Sequence, residues 1–154
     1  MPTSSASAPS RSARGGDKEA LARKLGAHHF IDNATEGVAA ALNHLGGARA
    51  VLATVTSAKA MTPVIDGLAV RGRLIVIGVD PEPIEVTPLQ LISASRSIVG
   101  HAAGASIDSQ DTLAFSALSS VRPMIETLPL ARAPEAYART MRRDARFRMV
   151  LTMA

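Results

Sequence analysis

The sequence has 154 residues, with 17 Lys and Arg against 13 Asp and Glu, a formal charge of +4 at pH 7, and 47% of its residues are apolar. That is the length of one domain, and Gly, Pro or charge breaks every apolar run before the roughly 18 residues a membrane helix requires, so a cytoplasmic protein is expected. Cysteine is absent, which excludes disulfides, a thiolate nucleophile and thiolate-based zinc sites, and aromatics at 3% leave little for base stacking.

Residues 1 to 16, MPTSSASAPSRSARGG, carry two Arg and no acid and show neither a helical nor a strand period, so a disordered tail is predicted. A helix follows in DKEALARKLGA, with Asp17 as its cap, Leu21 and Leu25 on one face and Gly26 as its stop. HHFID reads as a short strand. In TEGVAAALNHL, Val38, Leu42 and Leu45 recur at helical spacing, and Gly46-Gly47 end the helix. Ala50 to Val55, AVLATV, is an unbroken apolar run that fits a strand buried on both faces. KAMTPVIDGLAVRG returns to helical spacing, with Met61, Val64, Ile65 and Leu68 facing one way. Pro63 there either follows a Thr62 cap or kinks the helix. Leu74 to Val79, LIVIGV, is the strongest strand signal in the sequence.

Beyond a Pro-rich turn, Thr87-Pro88 reads as the cap and first residue of the helix PLQLISA, and SIVGH as a strand. Ser106 is predicted to cap IDSQDTLAFSALSSV. The remaining residues read as strand, helix and terminal strand, with Met149 and Leu151 on one face of RFRMVLTM. Alternating helices and strands imply parallel crossovers, hence an α/β fold.

The motifs of common chemistry are mostly missing. No GxGxxG follows a strand, no Ser stands in GxSxG and no HExxH occurs. The Gly pairs at 15-16 and 46-47 read as a loop and a helix stop. His28 and His29 point to opposite faces of a strand and cannot share a metal, and His44 sits near a helix end. His101 follows a strand and Gly100, a place where ligand contacts are common in α/β sheets. Arg132, Arg139, Arg142, Arg143, Arg146 and Arg148 form a basic stripe that could meet phosphate, but no nucleic-acid module accompanies it, so a solvated helix face is the reading preferred.

Taken together, KEALARKLGAHHFID, AVLATV, LAVRGRLIVIGV, PLQLISASRSIVG and RPMIETLPLARAPEAYARTMRRDARFRMVLTM resemble the C-terminal half of zinc-dependent alcohol dehydrogenases of the medium-chain dehydrogenase/reductase superfamily. The likeness runs from about Arg14 to Met153 and is greatest to the bacterial and cinnamyl-alcohol-type branch. It implies a Rossmann domain for NAD or NADP in which Thr54 and Val55 lie beside the nicotinamide ribose. It implies further that Ile77, Gly78 and Val79 offer backbone groups to the nicotinamide carboxamide and that Gly100 and His101 form a turn near the ring, although a small residue such as Ser is more usual at position 101. By the same resemblance Arg148 approaches the pyrophosphate, and Arg14 stands where a basic residue favours the 2′-phosphate of NADP.

Members of that family carry zinc on an N-terminal catalytic domain, and no such ligands are found in these 154 residues. The first sheet strand, its Gly-rich turn and almost all of the second strand are also missing from the pattern. In the order 3-2-1-4-5-6 this predicts a gap about two strands wide, roughly 10 to 14 Å, between HHFID and AVLATV. The expectation is an incomplete doubly wound parallel sheet over residues 17 to 154, in which strands four to six keep their arrangement and residues 17 to 45 dock adventitiously. The functional expectation is a truncated NAD(P)-binding domain, inactive as an isolated chain and without metal ligands of its own. The alternative is an interaction module that pairs through an exposed strand edge with an intact dehydrogenase subunit, a complementary N-terminal fragment or a second copy. Neither nucleic acid nor membrane is an expected partner.

Overall fold

The computed structural model describes residues 8–13, 15–142 and 144–153, which divide into two units, one ending at Ala103 and the other beginning at Gly104. The first unit runs β1 (Ser10–Ala13), α1 (Glu19–Lys24), β2 (His29–Asp32), α2 (Val38–His44), β3 (Ala48–Ala53), α3 (Ala58–Met61), β4 (Leu68–Val76), α4 (Pro88–Ile92) and β5 (Ser97–Gly100). β1 and β2 form one parallel pair; β3, β4 and β5 form a three-stranded parallel sheet in that order. The α/β class and the parallel crossovers agree with the sequence pattern.

The first unit's core is aliphatic. Ile31 of β2, Ala41 and Leu42 of α2, Ala53 of β3, Met61 of α3 and Leu74 of β4 are buried together with Val64, Ile65 and Leu68. The four residues read as one helical face, Met61, Val64, Ile65 and Leu68, are all inside. Their backbone differs from one helix: α3 ends at Met61, and Thr62–Gly67 continues as a 3-10 helix with Pro63 near its start, where the missing N–H costs nothing.

Three further expectations are corrected. Ser10–Ala13 is a strand, not tail: it pairs in register with His29–Asp32, and in the expected order it stands where a second strand belongs. Its side chains are mostly exposed, so backbone bonds hold it without an apolar period that the sequence could display. Ser12 Oγ adds a bond of 2.6 Å to Asn33 Oδ1, and Gly15 N–H donates to Asp32 Oδ1 at 2.9 Å. Of the predicted tail, residues 1–7 and 14 lie outside the described residues. Second, residues 17 to 45 are not an appendage. α2 packs Ala41 and Leu42 into the common core, and a Cβ at Gly67 would fall 2.8 Å from Leu42 Cδ1. Third, Leu68 to Gly72 is strand rather than helix end, interrupted where the register jumps from Ala48↔Leu68 to Ala50↔Arg73. At that bulge Arg71 takes φ +59° and donates its N–H to Ala94 O at 2.8 Å.

The N-terminal ends of β4 and β5 are tied by a polar latch. Gln90 Nε2 donates to the Asp66 carboxylate at 3.0 and 3.1 Å, and Arg96 donates through Nε to Leu68 O at 2.9 Å and through Nη1 to Gln90 O at 3.1 Å. Asn43 Nδ2 reaches Asp66 O at 3.2 Å from α2. Thr87 caps α4 in a reciprocal box with Gln90, as Thr87-Pro88 suggested.

The second unit comprises α5 (Ser106–Ser119), β6 (Ile125–Pro129), α6 (Ala133–Met141) and β7 (Arg148–Thr152). β6 and β7 are parallel, with Ile125 opposite Arg148 and Pro129 opposite Thr152. Met149 and Leu151 share the less exposed face of β7, as the alternation predicts. The cap of α5 lies one residue before the predicted Ser106: Asp108 Oδ2 accepts the Ala105 N–H at 2.6 Å.

Candidate functional site

Parallel strands bring their carboxyl ends to one edge, and loops leaving that edge are where open α/β sheets bind ligands. β3 ends at Ala53 and is followed by Thr54 and Val55; β4 ends at Val76 and is followed by Ile77, Gly78 and Val79; β5 ends in Gly100, followed by His101. Seven of the nine sequence-predicted site residues therefore meet at adjacent strand ends, because Ala53 pairs with Val76 and Val76 with Gly100. Arg148 is the exposed first residue of β7 in the second unit. Arg14 lies outside the described residues.

Backbone contacts lock these ends. The N–H groups of Ile77 and Gly78 both donate to Ala53 O at 3.0 Å, and His101 N–H donates to Val76 O at 2.9 Å. Gly78 lies directly on the Thr54 and Val55 peptide, so that any Cβ at position 78 would collide with the Val55 carbonyl. By contrast a Cβ at Gly100 would meet nothing within 4 Å. His101 is exposed, with Nδ1 2.8 Å from Ala102 O; since a carbonyl only accepts, that nitrogen carries the proton.

Asp80 was missed in the sequence. Its Oδ1 accepts the Glu82 N–H at 3.0 Å and its Oδ2 accepts the Ala58 N–H, the first of α3, at 2.5 Å. The Glu82 bond first and the Ala58 bond second hold the Asp80 carboxyl below its ordinary range. The signal was available as Asp80-Pro81 after a strand, a sequence that favours an Asx turn to the residue two positions on.

In the second unit Glu126 of β6 takes the Arg146 N–H at 2.7 Å and the Arg139 guanidinium of α6. Those two bonds, the Arg146 N–H first, lower its pKa against a partial desolvation. Arg132 pairs with Glu135 and Arg142 with Asp144, so three members of the basic stripe are matched by acids. Arg143 lies outside the described residues.

Among the described residues no group of three or more His, Cys, Asp or Glu is placed to hold a metal, and the sequence has no Cys, so these residues do not fit a zinc ion. The N–H groups of Val55 and Val79 take no hydrogen-bond partner among the described residues, and both side chains are exposed beside Gly78. Two concavities lie elsewhere, one between Thr62 and Gln90 and one among Arg23, His29, Glu36 and His44; neither includes a residue at the carboxyl ends of β3, β4 or β5.

The family model for zinc-binding dehydrogenase matches residues 11–118. The chain belongs to that family. Similar relatives include alcohol dehydrogenase patD of Penicillium expansum, 39% identical over 140 residues, covering 91% of this chain and 41% of the relative. Alcohol dehydrogenase notN of Aspergillus sp. (strain MF297-2) is 32% identical with the same coverage. Among solved structures, the alcohol dehydrogenase zinc-binding domain protein of Burkholderia ambifaria superposes with a TM-score of 0.81 at 22% identity, over 93% of this chain and 41% of that one. The alcohol dehydrogenase of Aeropyrum pernix gives 0.79 at 21%, over 94% and 42%. The chain thus spans about two fifths of the length of the curated relatives it matches, and its fold is that of part of a medium-chain dehydrogenase cofactor domain.

Proposed function

We propose that the carboxyl ends of β3, β4 and β5 hold the nicotinamide half of NAD or NADP for hydride transfer to or from an alcohol, in a zinc-dependent enzyme of the cinnamyl-alcohol-type branch. The observation that carries this reading is the convergence of three loops on one sheet edge in a zinc-binding dehydrogenase chain. Backbone N–H groups at Val55 and Val79 would meet the carboxamide, and Gly78 keeps the two loops close enough to present them together. Gly100 leaves room for the ring, and His101 borders it. When bound, the cofactor supplies the carbon that takes or gives the hydride.

Among the described residues no group is placed to hold a metal, and the sequence has no Gly-rich phosphate turn after a strand. Alcohol turnover therefore needs those parts from additional polypeptide, and this chain by itself turns over none. The cytoplasm, as a source of nicotinamide dinucleotides, is the proposed compartment.

Titration of the 15N-labelled chain with millimolar NADH is the test. Shift changes should cluster at Thr54, Val55, Ile77 to Val79, Gly100 and His101; shifts scattered over both units, or none, would overturn the reading. Addition of a polypeptide carrying the missing strand, turn and zinc ligands should then restore oxidation of a primary alcohol.

A second reading, an interaction module that pairs with an intact dehydrogenase subunit or a second copy, is favoured by one feature. Among the described residues β5 bonds only to β4, and Val99 on it is 45% exposed. Co-purification with a full-length dehydrogenase, lost on changing Val99 to lysine, would support it.

A further inference from the structure

Two stitches join the loop after β4 to the segment after β3. At the first, the Asp80 carboxylate bridges its own loop and α3, taking the Glu82 N–H on one oxygen and the Ala58 N–H on the other. At the second, Thr62 Oγ1 accepts the Glu85 N–H at 3.3 Å while donating to Ala58 O at 3.2 Å. α3 does not need Asp80 for its start, because Ser57 Oγ already accepts the Ala60 N–H at 3.4 Å. What Asp80 adds is the connection between the loops. Gly78, two residues before it, rests on the Thr54 and Val55 peptide.

We propose that Asp80 is a positioning residue that locks the loops after β3 and β4 together and so fixes the spacing of the Val55 and Val79 backbone groups for the nicotinamide carboxamide. The proposal rests on the cofactor reading above. A site whose two halves are already joined avoids the cost of ordering them when the ligand arrives, which is how a residue that touches no ligand governs affinity. The chemistry requires a carboxylate. Both oxygens accept, so an Asn of the same shape would keep one acceptor and turn an NH2 donor against a backbone N–H.

The experiment compares the wild-type chain with Asp80→Asn, Asp80→Ala and Ser57→Ala, using residue-resolved amide exchange and the NADH titration. In Asp80→Ala both the Ala58 and Glu82 amides should exchange about tenfold faster, and in Asp80→Asn at least one of the two should, as expected when a charge-assisted bond is lost. Ser57→Ala should instead speed exchange at Ala60 and spare Glu82. NADH should bind the Asp80 variants about five- to tenfold more weakly, the scale of one lost preorganising contact. Unchanged exchange at both Ala58 and Glu82 in the Asn variant overturns the lock. Faster exchange with unchanged NADH affinity overturns the positioning role. Absence of NADH shifts in the wild-type chain overturns the cofactor reading and the positioning role with it, a failure distinct from a failed lock because the exchange rates are read without ligand. If Asp80→Ala does not fold by circular dichroism, the isosteric Asn variant carries the test.

Discussion

Alanine at position 78 would place a methyl carbon on the Val55 carbonyl oxygen, in backbone that has no flexible side chain to move aside. Gly78→Ala should therefore destabilise the first unit by about 1–3 kcal/mol, the usual range for overpacking, measured by urea denaturation. It should also erase NADH-induced shifts at Thr54 and Val55, whereas Gly100→Ala, with open space around it, should fold with wild-type stability. At this scale the sequence was informative about position and poor about contact. Thr54 and Gly78 entered only through the family resemblance and Gly100 through its place after a strand, and the structure sets all three at adjacent strand ends. Asp80 was not legible, since its importance lies in a bond to Ala58, 22 residues away, which no local spacing displays.

Elements with their own punctuation were read well. Thr87-Pro88 starts α4 as expected, and Thr87→Ala should cost about 1 kcal/mol by removing a capping box on an exposed turn, seen as a lower denaturation midpoint at unchanged slope. The apolar face Met61, Val64, Ile65 and Leu68 was likewise legible in its burial. The conformation was not, because the same four side chains can be buried by an α-helix or by a helix that tightens to 3-10 after Thr62. β1 escaped altogether. Its residues, Ser-Arg-Ser-Ala, carry no apolar alternation and its stability is a parallel ladder against β2, so the information that makes Ser10–Ala13 a strand lies at His29–Asp32. The Leu68–Gly72 bulge is similar: it answers to Ala48, where a Cβ on Gly72 would sit 2.7 Å from the carbonyl oxygen.

For the whole molecule, stability is concentrated in a small aliphatic core. Ile65 and Leu74 are fully buried, and no aromatic ring shares that cluster. Ile65→Ala should cost about 2–5 kcal/mol, a large part of the roughly 5–15 kcal/mol that ordinarily separates folded from unfolded chains, and calorimetry should show the first unit melting earlier. The three-stranded sheet also has two unlike ends. At the amino ends of β4 and β5 it is held by the side chains of Asp66, Gln90 and Arg96, and at the carboxyl ends chiefly by peptide groups and a glycine, with Asp80 tying the loops beyond them. For protein engineering this polarity divides the labour of the scaffold. Substitutions between Val79 and Val86 that keep Asp80, Ile84 and Val86 can change the remaining residues while the latch at the far end keeps the strands in register, so recombination libraries should tolerate diversity there and lose folded members when Arg96 or Asp66 is randomised.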